Sequence, residues 1–75
     1  MIRKHSVSLH GHRTSFSLED PFFLELKAIA ETRDITLAAM LREIDDTRDA
    51  DVNLSSAIRL FVLADLKAKL ASQDR

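Results

Sequence analysis

Cysteine is absent from this 75-residue chain, which excludes a disulfide or a thiolate metal site and fits a reducing compartment. No apolar run approaches the ~20 residues that span a bilayer; Leu60-Phe61-Val62-Leu63-Ala64 is as long as any. The charged N-terminus lacks an apolar signal segment, so no membrane role and a cytoplasmic location are expected. Gly11 is the only glycine, so there is no glycine-rich loop to cradle a phosphate. Acids are missing from residues 1–18, which carry Arg3, Lys4, Arg13 and the three histidines, His5, His10 and His12. Residues 19–51 then hold ten Asp or Glu against four Lys or Arg. The net charge of −1 therefore hides a basic start on an acidic body, and local field decides where a polyanion can approach.

What is there begins with Arg13-Thr14-Ser15-Phe16-Ser17-Leu18. Its polar and apolar residues alternate, so Thr14, Phe16 and Leu18 share one face of a strand and Arg13, Ser15 and Ser17 the other. A lone strand leaves its backbone groups unpaired, and the simplest partner is a symmetry mate in an antiparallel ribbon. A weaker alternating run, Lys4 to Leu9, places His5, Val7 and Leu9 on one side. Gly11 either turns this run back as a hairpin or marks the bend between an N-terminal basic arm and the strand. The arm is the preferred reading, because Val7 and Leu9 alone bury little.

Helical spacing follows. Asp20 is a candidate N-cap before Pro21, and Phe22, Phe23, Leu26, Ile29 and Ala30 form one apolar face of a helix ending near Arg33. Thr36 caps a second helix with the stripe Leu37, Met40, Leu41 and Ile44, which runs out in the acidic residues 45–51. Asn53 caps a third, with Leu54, Ala57, Ile58, Phe61, Val62, Leu66 and Leu70 on one side. Leu60 and Leu63 widen that stripe, while Lys67, Lys69 and Arg75 suit a helix C-terminus. A chain this short has little to bury such a helix in, which again points to a dimer. Phe16, Leu18, Phe22, Leu26, Leu41, Ile58 and Phe61 are the expected dimer core.

The segment His12 to Glu19 followed by an amphipathic helix resembles the ribbon and first helix of the ribbon-helix-helix (MetJ/Arc-type) family of DNA-binding repressors. Gly11-His12-Arg13-Thr14-Ser15, together with Asn53-Leu54-Ser55-Ser56-Ala57-Ile58-Arg59, is similar to a bacterial subgroup of small members with an extra C-terminal helix. The resemblance implies a mainly α homodimer, with one short strand per chain and an intermolecular two-stranded ribbon. Residues 1–11 would be the arm or an extra strand, 12–50 the ribbon-helix-helix core, and 51–75 the added helix of the same domain. It further implies a repressor-like transcription regulator whose partners are its own copy and double-stranded DNA. Arg13, Ser15 and Ser17 would then meet base edges, and Thr36, Leu37 and Ala38 a phosphate at the N-terminus of the second helix. Arg3, Lys4 and His12 would add phosphate contacts. The family often has a glycine between its first two helices, and none stands here. Leu54 to Arg59 also looks like the start of the family's second helix, which would make residues 36–50 an insertion; the contiguous assignment is preferred.

Two further readings stay open: an antitoxin-like protein with a protein partner on the third helix, and a dimerisation module without nucleic acid. An enzyme is not expected, since no nucleophile with a placed base is visible, and adjacent Asp45 and Asp46 do not face each other on a helix. No cofactor is expected either. The histidines read as solvated side chains rather than metal ligands, because no acid completes a site within residues 1–18.

Overall fold

A computed structural model describes residues 1–73, in the order β1 (Ile2–Leu9), β2 (His12–Glu19), α1 (Asp20–Thr32), α2 (Leu37–Thr47) and α3 (Leu54–Gln73). Arg75, expected at a helix end, lies outside the described residues. The two strands form one antiparallel hairpin, with Lys4 opposite Ser17, Ser6 opposite Ser15 and Ser8 opposite Arg13. Residues 2–9, read as an arm or an extra strand, are the extra strand, and β2 pairs with β1 within the chain. The turn explains why: His10 and Gly11 both take positive φ, 54° and 79°, as the tightest hairpin loop requires. The weak alternation of β1 is then enough, because its partner is two residues away.

Helix α1 starts one residue earlier than expected. Glu19 is its N-cap, in extended backbone and without a side-chain cap bond, while the Asp20 carboxylate is taken by Arg3 (Nε to Oδ1, 3.0 Å). At the other end the missing glycine is replaced by Asp34, whose φ is 55°. Asp34 N–H donates to the carbonyl of Glu31 and Ile35 N–H to that of Ala30, both at 3.0 Å, which is the paired bonding of a Schellman stop. Thr36 then caps α2 as expected, its Oγ1 accepting from Ala39 N–H at 3.0 Å, and Asn53 Oδ1 accepts from Ser56 N–H at 2.8 Å at the start of α3. Residues 37–47 are thus a helix, packed against β1 and α3, and not an unstructured insertion.

The inner face of the hairpin closes on all three helices. Leu9, Phe16, Leu18, Leu26, Leu41 and Ile58 are buried, with Phe22 and Phe61 packed at the margin. Every residue expected in a dimer core is therefore in or against the core of one chain. On α3, Ala57, Ile58 and Val62 are buried, whereas Leu60, Leu63, Leu66 and Leu70 are 60%, 50%, 38% and 63% exposed. No helix among the described residues is long and apolar enough to cross a membrane.

Candidate nucleic-acid interface

Side chains directly opposite in an antiparallel pair share a face. The register therefore puts Lys4, Ser6 and Ser8 of β1 on the same side as Ser17, Ser15 and Arg13 of β2, and all six are exposed. The opposite side carries Phe16, Leu18 and Leu9 into the core. β1 lies beside β2 and not across it, so among the described residues nothing covers the outer face. Two cations and four hydroxyls line it, in a ribbon of the width that enters a major groove about 12 Å wide.

The sequence pointed to Arg13, Ser15 and Ser17; Ser6 and Ser8 join them here, and Lys4 stands with these side chains. The alternation of residues 4–9 carried that signal, but their place followed only from the turn at Gly11. Arg3 and His12, expected near phosphates, fall on the inward parity of the hairpin. Arg3 is held there by Asp20. His12 remains exposed beside the turn, opposite Leu9. Nor do the three histidines gather: His5 is stacked between Phe23, at 4.0 Å between ring centroids, and Phe16, at 5.3 Å.

Glu19 closes the face at the α1 end. Arg59 of α3 grips it with Nε on Oε1 at 2.8 Å and Nη2 on Oε2 at 3.2 Å. Those bonds hold the Glu19 carboxyl below its ordinary range. They also neutralise the acid nearest the ribbon's outer side. This tie was not visible in the sequence, where the partners stand 40 residues apart.

The backbone edge of β2 has its own pattern. Asp20 N–H donates to Met1 carbonyl at 3.0 Å, which marks that pair as hydrogen-bonded. Since bonded and non-bonded pairs alternate, the amides of Arg13, Ser15 and Ser17 point away from β1. Ser17 N–H is taken by Ser55 Oγ of α3 at 3.2 Å; among the described residues nothing accepts from those of Arg13 and Ser15.

The start of α2 lies close to the ribbon. Leu37 and Ala38 border a hollow of about 270 Å³ together with His5, Ser6 and Val7 of β1. Ala39 N–H is satisfied by Thr36, whereas the amides of Leu37 and Ala38 are first-turn donors without an intrahelical acceptor. A free amide pair at a helix N-terminus suits an anion.

A family model described as a ribbon-helix-helix domain matches residues 2–66 of the chain. No curated protein and no solved structure gives a match to it.

Proposed function

Since the chain belongs to the ribbon-helix-helix domain family, whose members are generally DNA-binding regulators that dimerise, we propose that it is a homodimeric transcriptional regulator that lays its hairpin in the DNA major groove. The observation that carries this reading is the outer face of the ribbon, with Lys4, Arg13 and four serines exposed and its nearest acid neutralised by Arg59. In this reading Arg13 donates two hydrogen bonds to one guanine edge, and the serine hydroxyls donate or accept according to the base they meet. A backbone phosphate sits at Leu37 and Ala38 and fixes the register of the ribbon.

Selection from random duplexes by the purified chain tests the reading, with Arg13→Ala as the control. A shared site enriched by the wild type and lost with the variant is the expected result. Retention of no duplex at low salt contradicts it.

One observation favours an antitoxin-like variant of the same function. The leucines on the free half of α3 make an exposed apolar stripe of the kind that meets a protein partner. A dimerisation module without nucleic acid would be favoured by a ribbon face covered by residues 1–11; the open face beside β1 supports the DNA-binding reading instead.

A further inference from the structure

Two sequence features without a part in the ribbon face meet at the tip of the hairpin. His10 stands in the turn, and Asp45 and Asp46 stand near the end of α2. His10 Nε2 lies 2.6 Å from Asp46 Oδ1, and one ligand atom from each of the three residues lies within 4.8 Å of the other two. No acid stands within residues 1–18; the fold supplies two, Asp45 and Asp46, the latter 36 residues away. His10 and Asp46 are 50% and 52% exposed, so a hydrated ion reaches them without opening the core. Asp45 is steadied from behind: Arg48 Nε donates to its Oδ1 at 2.8 Å, while Arg48 Nη1 donates to the Val52 carbonyl at 2.6 Å. The second oxygen of Asp45 is left for a ligand. His12 borders a hollow of about 240 Å³ that His10 and Asp45 also line.

We propose that His10, Asp45 and Asp46 bind one divalent first-row transition ion, Zn²⁺ above all, and that the ion clamps the hairpin tip to α2. Two carboxylates match its charge, and the imidazole selects against Mg²⁺ and Ca²⁺, which prefer oxygen sets. Zinc bonds of about 2.0–2.2 Å in a tetrahedron set ligand atoms about 3.3 Å apart, so the close His10–Asp46 contact opens and Asp45 draws in by side-chain rotation. Water or His12 completes the coordination.

The test is titration of the metal-free full chain with Zn²⁺ by calorimetry and with Co²⁺ by visible absorption. His10→Asn is the variant of choice, since Asn-Gly is a favoured pair for this turn and the hairpin keeps its loop while losing the imidazole. Asp46→Asn removes a carboxylate, and Asp49→Asn removes an exposed acid outside the site. Expected are one ion per chain, affinity at least about tenfold weaker in His10→Asn and in Asp46→Asn, and Asp49→Asn within about twofold of the wild type. Zn²⁺ should also raise the thermal midpoint of the wild type by more than that of His10→Asn at the same concentration. Unsaturable binding, or His10→Asn binding as tightly as the wild type, overturns the proposal. Duplex binding has no part in the readout, so this outcome is separate from that of the ribbon.

Discussion

Asp34 does a glycine's task at the end of α1, holding φ at 55° with a side chain attached. Left-handed backbone costs an ordinary residue about 1–2 kcal/mol, partly offset in a glycine by its freer unfolded chain. Asp34→Gly should therefore stabilise the fold by about 0.5–1 kcal/mol, read from urea midpoints at unchanged slope. Glu19 makes a prediction in pH. Its native pKa lies below the ordinary 4.5 because Arg59 bonds the ionised form, so the unfolded chain takes up a proton first as pH drops. The stabilisation is complete above pH 4.5 and disappears as pH falls through the lowered native value. Glu19→Gln should thus be less stable than the wild type at neutral pH and lose that deficit in acid. A deficit constant with pH would argue against the ion pair. Arg13→Ala should weaken binding to a selected site by about 1–3 kcal/mol and relax the choice of base at one position. Caps were the most legible of these residue-scale features. Thr36 and Asn53 stand before helical periodicity and act as read, whereas Glu19 displaced Asp20 because Arg3, distant in sequence, claims the Asp20 carboxylate.

Among elements, the helices were plain in the spacing of their apolar residues, and the hairpin only half so. A period of two tells which side of β2 is wet, and Ser15 and Ser17 are indeed exposed. It does not tell which edge is paired or by which chain, since edge pairing is made by backbone groups common to all residues. That decision falls to the turn. Gly11→Ala checks it: a Cβ there meets no atom within 4 Å, so any loss comes from its φ of +79° alone. The expected cost is about 1–2 kcal/mol, with faster amide exchange along β1 than in α2. An unchanged stability would mean that the hairpin is held by packing and not by its turn. The acidic residues 45–51 likewise gained sense only in space, where Arg48 gathers Asp45 and the Val52 carbonyl, and Asp46 meets His10.

For the whole molecule, the basic start and acidic body resolve into a two-sided object. The ribbon shows cations and hydroxyls outward, with Glu19 at its end tied to Arg59, while the other acids among the described residues lie on the helices and their connections. One chain buries Leu18, Leu26, Met40, Leu41 and Ile58 in its own core. Leu60, Leu63, Leu66 and Leu70 leave an apolar stretch of α3 open, and Met1, Ile2 and Leu24 are exposed elsewhere. The central claim is that the outward face of the hairpin engages duplex DNA. Fluorescence anisotropy of a selected duplex, titrated from low to moderate salt with the wild type and with Arg13→Ala, tests it most directly. The account predicts an affinity that falls with a log–log salt slope of about −0.9 for each phosphate neutralised, and a wild-type preference over random duplex that Arg13→Ala loses. Equal affinity of both proteins for both duplexes, or binding indifferent to salt, would contradict it.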